Sequence, residues 1–132
     1  MKEYFVQIAF VGLGGFVGSA ARFALSEIIK QFDFSGQHYA TLIINIVGSF
    51  ILGILSELVI MKDAAISSEL ALFLTVGLCG GFTTFSTFSL ENINLLRQGL
   101  LLEAGVYITL SVIGALVFFA VGLLLVKYTL AG

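Results

Sequence analysis

The sequence has no proline and no tryptophan, a single cysteine and a single histidine. Cys79 has no second cysteine with which to form an intrachain disulfide or a cysteine-based metal site. His38 alone excludes a His-rich metal site and leaves one candidate for histidine acid–base chemistry. The formal net charge of −2 leaves no broad basic surface for nucleic acid. Without proline, any break in a helix has to come from glycine and hydroxyl side chains.

Charge is also scarce. Charged side chains make up 11% of the 132 residues, whereas hydrophobic ones make up 59%, and the mean hydropathy is +1.12. A soluble domain carries about 25% charged residues, and a small core has no room for this much apolar surface. The composition therefore predicts an integral protein of the cell (inner or plasma) membrane.

Four apolar segments, near 4–29, 39–61, 69–96 and 101–126, have about the 20 residues that a membrane-spanning helix needs. The first continues well beyond the apolar part of a signal peptide, so we interpret it as a spanning helix. Short connectors require neighbouring helices to run antiparallel. We predict an all-α membrane protein in which residues 1–132 form one domain of four transmembrane helices.

The cations are evenly divided between the two predicted sides of the membrane, so the positive-inside rule assigns no orientation. One interpretation is insertion in both orientations, which then pair as an antiparallel homodimer; the other is a weak bias toward a single orientation. Lys2, Lys62 and Lys127 lie on the side of the termini, and Arg22, Lys30 and Arg97 on the other.

Small residues four positions apart provide places where spanning helices can approach closely. Such pairs support packing in any helical membrane protein and do not identify a function. They are Gly14/Gly18, Ser49/Gly53 and Gly77/Gly81.

The third segment carries the most information. From Glu69 to Arg97 it has 29 residues, roughly 43 Å as a continuous helix, against about 30 Å of hydrocarbon. Its centre reads Gly-Leu-Cys-Gly-Gly-Phe-Thr-Thr-Phe-Ser-Thr-Phe-Ser over 77–89. Glycine weakens a helix, and hydroxyls can bond the freed backbone groups. We favour a break at mid-membrane, around Gly80-Gly81, over a continuous helix whose hydroxyls bond its own backbone.

Other polar and aromatic residues at membrane depth suggest an anion pathway or, alternatively, ordinary packing. Phe85 and Phe88 share a helix face, and their ring edges carry partial positive charge. Asn45 offers amide donors, with Thr41 one turn before it. Tyr107 and Ser111 are likewise one turn apart, and Arg22 either reaches the headgroups or makes a water-filled mouth electropositive.

No pattern of catalytic residues is present, and we predict that the protein is not an enzyme. Glu57 and Glu91 are the carboxylates nearest the apolar stretches, and neither has a histidine or second carboxylate beside it in sequence. The glycine-rich run 12–18 lies inside a predicted spanning helix and follows no strand, so it is not a dinucleotide-binding loop.

The motifs Gly-Gly-Phe-Val-Gly-Ser-Ala-Ala-Arg (14–22), Asn-Ile-Val-Gly (45–48) and the 77–89 segment resemble those of the Fluc fluoride channels, also called camphor-resistance B proteins. The resemblance covers nearly the whole chain, and its third motif is the most specific. It implies a fluoride-selective channel for passive export of fluoride, assembled as a dual-topology antiparallel homodimer with two pores and a central structural sodium ion.

The resemblance also implies roles for individual residues. Asn45 is the pore amide, Phe85 and Phe88 are the pore-facing rings, and Arg22 belongs to the vestibule. The carbonyls of Gly80 and Thr83 from both subunits hold the sodium ion. The polar track is extended by Thr41, Thr87, Glu91, Tyr107 and Ser111.

One departure from the family pattern is Ala115, which stands where some members have a serine, so the lower part of that track is in doubt. The alternative function is that of a small multidrug-resistance-type, proton-coupled cation exporter. That mechanism needs a membrane-buried carboxylate in the first helix, where Glu27 lies only near the end. A further alternative is an accessory subunit without a transport role.

Overall fold

The computed structural model describes residues 1–32, 38–61 and 66–130, and all regular structure in these ranges is helical. Four stretches are long and apolar enough to cross a membrane, which confirms the predicted all-α protein with four membrane-spanning helices. Lys62, counted among the predicted cations, lies outside the described residues. The helices are α1 (Lys2–Lys30), α2 (His38–Met61), α3 (Ser68–Leu72), a π-helix (Phe73–Cys79), α4 (Gly80–Phe82), α5 (Phe85–Arg97) and α6 (Leu101–Leu130).

The connection between α5 and α6 is a glycine-terminated turn. Gly99 has φ +76°, a conformation that glycine adopts without steric cost. Its N–H donates to the Leu96 carbonyl over 3.1 Å, and the Leu100 N–H donates to the Leu95 carbonyl over 3.0 Å. These two bonds form a Schellman motif. The tight turn explains why α6 runs back antiparallel to α5.

Helix α1 packs directly on the first half of the third span, residues 68–82. A Cβ atom built on Gly77 would lie 2.7 Å from the Val11 carbonyl oxygen, and one on Gly81 would lie 2.5 Å from that of Gly15. Gly14 and Gly18 of α1 are equally tight against the backbone opposite. Two of the pairs predicted as places of close helix approach, Gly14/Gly18 and Gly77/Gly81, therefore serve that purpose here, with backbone in contact with backbone.

Helix α2 packs mainly on α6, again through glycine. A Cβ atom on Gly53 would meet the Phe119 carbonyl group, and one on Gly122 would meet that of Phe50. The remaining buried side chains form two small clusters, and large apolar side chains cover the outer surface, as lipid solvent requires. One cluster contains Leu42, Phe88, Leu95, Ala104 and Tyr107, and the other Ile29, Ala40 and Ile44.

Candidate functional site

The regular helix of the third span is interrupted at Thr83 and Thr84. Thr83 has φ −83° and ψ 159°, and Thr84 has φ −151° and ψ 117°, both extended conformations. Gly80, in contrast, is helical with φ −63° and ψ −38°. The extended residues therefore come after Gly80 and Gly81 in the chain. Gly81 remains helical at the point where its backbone packs against Gly15 of α1.

Thr84 begins the second half of the span as the N-cap residue of α5. Its Oγ1 accepts a hydrogen bond from the Thr87 N–H over 3.2 Å, which satisfies one of the free amides of the first helical turn. The same hydroxyl lies 3.1 Å from Thr87 Oγ1 and 3.2 Å from Ser86 Oγ. The hydroxyl-rich sequence thus supplies the partners that the interrupted backbone needs.

Asn45 of α2 forms hydrogen bonds with the interrupted segment through both the oxygen and the nitrogen of its side-chain amide. The Thr84 N–H donates to Asn45 Oδ1 over 2.8 Å, and Asn45 Nδ2 donates to the Thr84 carbonyl oxygen over 3.1 Å. An amide has two N–H donors and one carbonyl. One N–H of Asn45 is therefore not used by this pair of bonds with Thr84.

The two hydrogen bonds between Asn45 and Thr84 change which backbone carbonyls lack a helical donor. In a continuous helix the Thr84 N–H would bond the Gly80 carbonyl, and the Thr87 N–H would bond that of Thr83. Here the first donates to Asn45 and the second to the Thr84 hydroxyl. The carbonyls of Gly80 and Thr83 consequently lose their usual helical donors at the same place.

A second group of polar residues joins three helices. Glu91 of α5 accepts a hydrogen bond from Thr41 Oγ1 over 2.9 Å and from the Tyr107 hydroxyl over 2.6 Å. Thr41 and Tyr107 are buried. Ser111, one turn beyond Tyr107, is buried too, and its Oγ has no hydrogen-bond partner within the described part of the chain. Three of the predicted track residues, Thr41, Glu91 and Tyr107, are thus brought together by hydrogen bonds.

The two predicted pore phenylalanines differ in their surroundings. Their ring centroids are 5.3 Å apart at an interplanar angle of 44°. Phe88 is 9% exposed and its ring lies 5.3 Å from that of Tyr107. Phe85 is 77% exposed. Phe88 is therefore a core residue of the protomer, whereas Phe85 projects from it.

A cavity of about 360 Å³ lies beside the interruption and the two phenylalanines, along one side of the protomer. Ala115, the departure noted in the sequence, adds a methyl group to its wall at the end beyond Ser111. Its walls therefore combine one amide, several hydroxyls and two aromatic rings with apolar side chains. The residues that line it include Asn45, Ser49, Thr83, Thr84, Phe85, Phe88, Ser111 and Ala115.

Arg22 lies beside a smaller cavity of about 120 Å³ between α1, α2 and α5. Its Nε donates to the Gly81 carbonyl oxygen over 3.1 Å. Lys30 and Glu27 line the same cavity and form an ion pair at 2.7 Å. Thr87, predicted on the polar track, lines this smaller cavity rather than the larger one.

Sequence reasoning missed three polar residues. Ser19 Oγ donates to the Gly81 carbonyl over 3.3 Å, one turn before Arg22 on the same helix face, a spacing that was visible in the sequence. Asn92 is buried, and its Nδ2 donates to the Phe88 carbonyl over 2.8 Å. The His38 ring lies 5.2 Å from that of Tyr107, a contact that depends on how α2 packs against α6.

Known proteins with similar sequences match this chain over almost its whole length. The family model described as "CrcB-like protein, Camphor Resistance (CrcB)" matches residues 9–123. A protein named "Fluoride-specific ion channel FluC" from Ruminiclostridium cellulolyticum is 46% identical over 127 residues, covering 96% of each chain. A protein of the same name from Methylobacillus flagellatus is 42% identical, over 94% of this chain and 97% of its own length. Another, from Prosthecochloris aestuarii, is 39% identical, over 96% of this chain and 98% of its own length.

These matches extend over almost the whole length of this chain and of each relative. They also include all four helices that are long enough to span a membrane. The chain is thus a multi-pass membrane protein and belongs to the CrcB-like, or camphor-resistance, family.

Proposed function

We propose that this protein is a fluoride-specific ion channel that lets fluoride leave the cell passively. The observation that carries the proposal is the cavity whose lining includes Asn45, Ser111 and the two phenylalanines Phe85 and Phe88. The similar proteins named fluoride-specific ion channels agree with it. The activity is transport and needs no catalytic group.

The chemistry of the cavity suits a small, strongly hydrated anion. Dehydration is the main barrier for fluoride, so a pore has to replace water with several donors of which none holds the ion too tightly. Asn45 has an N–H that Thr84 does not use, and Ser111 Oγ is buried without a partner in the described residues. Ring edges add a weak positive field.

The polar track beyond the rings has its donors already engaged. Both hydroxyls, of Thr41 and Tyr107, donate to Glu91 in the structure. We propose that the Glu91 carboxylate turns away from the track as fluoride arrives, so that the ion accepts the hydrogen bonds of Thr41 and Tyr107 without passing beside the carboxylate charge. This change of acceptor keeps each donor satisfied between ions, which avoids the cost of a buried unpaired hydroxyl.

We further propose that two copies assemble as an antiparallel homodimer. Phe85 is 77% exposed and the cavity is open on one side of the protomer. A second copy related by a twofold axis in the membrane plane would cover both, so that two enclosed pathways form. The even division of cations between the two sides allows insertion in both orientations.

The same arrangement provides a place for a structural sodium ion. The residues fit such an ion because the carbonyls of Gly80 and Thr83 have both lost their helical donors. Hard oxygen ligands suit a small hard cation. If the interruption lies at mid-membrane on the twofold axis, these carbonyls from both copies would hold one ion. The ion would stabilise backbone groups that lipid cannot satisfy.

The function is tested by fluoride efflux from liposomes that contain only the purified protein. We expect rapid fluoride efflux that needs no proton gradient, and no chloride efflux under the same conditions. Efflux of cationic drugs in exchange for protons, without fluoride efflux, would instead support the exporter. That alternative is disfavoured because Glu27 is exposed and paired with Lys30. No flux of either kind would support an accessory role.

Topology is tested by labelling one introduced cysteine in intact cells. The buried Cys79 is first replaced by alanine, and Gln98→Cys is then introduced in the exposed turn before α6. We expect about half of the molecules to react with an impermeant reagent. Lys2→Cys, at the opposite end, should also label by about half. Complete labelling at one position and none at the other would mean a single orientation and would contradict the antiparallel homodimer.

A further inference from the structure

Gly81 has a carbonyl group that is satisfied from outside its own helix. In a continuous helix the Phe85 N–H would donate to it, but Phe85 is the first residue of α5 and follows two extended residues. The donors that replace it are Arg22 Nε at 3.1 Å and Ser19 Oγ at 3.3 Å, both from α1.

The glycine contacts of α1 explain how Arg22 reaches this place. Gly18 packs against Leu78 and Phe82, and Gly15 packs against Gly81. Ser19 and Arg22 follow on the same face of the helix. They are therefore held at the last carbonyls of residues 80–82, where a cation also interacts favourably with the negative end of a helix.

The neighbouring carbonyls at this helix end have different partners. Cys79 accepts from both the N–H and the Oγ1 of Thr83, over 3.0 and 2.9 Å. Gly81 accepts from α1, whereas Gly80, between them, has lost its helical donor to Asn45. Gly80 is also exposed on the protomer surface. The donors around the interruption thus occupy the carbonyls on either side of Gly80.

We propose that Arg22, assisted by Ser19, is a positioning residue of the central cation site. By donating a hydrogen bond to the Gly81 carbonyl oxygen, Arg22 holds the end of the helix in place so that the Gly80 carbonyl faces the cation. Its role is then the directed hydrogen bond to the backbone, and not only a positive charge at the mouth of the pathway. This inference rests on the proposed function for the identity of the ion.

The test compares Arg22→Gln and Ser19→Ala with two control variants. Lys30→Gln removes a positive charge from the same small cavity without touching Gly81. Ser26→Ala removes a hydroxyl from that cavity. For each purified protein, the melting temperature is measured against sodium concentration, with N-methylglucamine as the replacement cation. The sodium dependence of fluoride efflux is measured in parallel.

Loss of a hydrogen bond from a charged donor should weaken the cation site about tenfold. We therefore expect Arg22→Gln to raise the half-saturating sodium concentration by about that factor in both measurements. Ser19→Ala should raise it about threefold, and Lys30→Gln and Ser26→Ala should leave it unchanged. If Arg22→Gln does not yield folded protein, the expected threefold shift in Ser19→Ala supports the proposal, and the absence of that shift overturns it.

Several results would overturn the inference. The inference fails if the half-saturating sodium concentration is unchanged in both Arg22→Gln and Ser19→Ala. It also fails if Arg22→Gln and Lys30→Gln shift that concentration equally, because equal shifts would mean that only the positive charge matters. A wild-type protein that conducts fluoride but ignores sodium would overturn it while leaving fluoride conduction intact. If no fluoride flux is found at all, the proposed function fails, and the melting measurement still decides the role of Arg22.

Discussion

Replacement of Asn45 by aspartate should abolish fluoride efflux. The carboxylate keeps the bond from the Thr84 N–H but turns the donor to the Thr84 carbonyl into a second acceptor. The N–H of Asn45 that Thr84 does not use is lost as well. An anion passing within about 4 Å of this charge would be repelled by about 4 kcal/mol at an effective dielectric constant of about 20. That repulsion corresponds to roughly a thousandfold slower passage.

The measurement is fluoride efflux from liposomes, with size-exclusion chromatography and thermal melting as folding controls. Asn94→Asp makes the same chemical change at an exposed position of α5 and should conduct normally. Asn45→Ser serves as an uncharged variant that keeps a single donor, and we expect it to conduct more slowly than the wild type. Normal efflux by folded Asn45→Asp would mean that Asn45 only braces the interruption and that the anion passes elsewhere.

Replacement of either pore phenylalanine by isoleucine should also reduce efflux, by at least about tenfold. Isoleucine is apolar and bulky but has no ring quadrupole, so the partially positive ring edge that would attract the anion is lost; a loss of about 1.4 kcal/mol corresponds to tenfold. The two variants should nevertheless differ in stability. Phe88 belongs to the buried cluster with Tyr107, so its replacement should lower the melting temperature, whereas replacement of Phe85, which is exposed on the protomer, should lower it less.

Phe5→Ile provides the matched control, because Phe5 is 69% exposed on α1 and lies far along the chain from the interruption. Its efflux and melting temperature should equal those of the wild type. Efflux and the fraction of protein eluting as a dimer are measured for all three variants. If Phe85→Ile and Phe88→Ile both conduct at the wild-type rate, the rings are packing residues and the proposed pathway is wrong.

The class of the protein and the chemistry available to it follow from the amino-acid sequence. Four apolar segments with 11% charged residues overall have only one solvent in which they are stable, so four membrane-spanning helices follow from composition and length. The motif at 77–89 pointed to the family that the comparisons show. The glycine pairs also predicted close helix packing, because their spacing alone places them on one face.

The place where the third helix is interrupted, and the partner of each polar side chain, depend on how the helices pack together. Asn45 forms hydrogen bonds with both backbone groups of Thr84, which is 39 residues away in the sequence. Arg22 Nε donates to the carbonyl oxygen of Gly81, which is 59 residues away. Gly80 and Gly81 looked like the weakest point of the helix, yet both are helical, and the backbone of α1 at Gly15 lies against Gly81. Local propensity amounts to about 1 kcal/mol per glycine, and several long-range hydrogen bonds and backbone contacts together outweigh it.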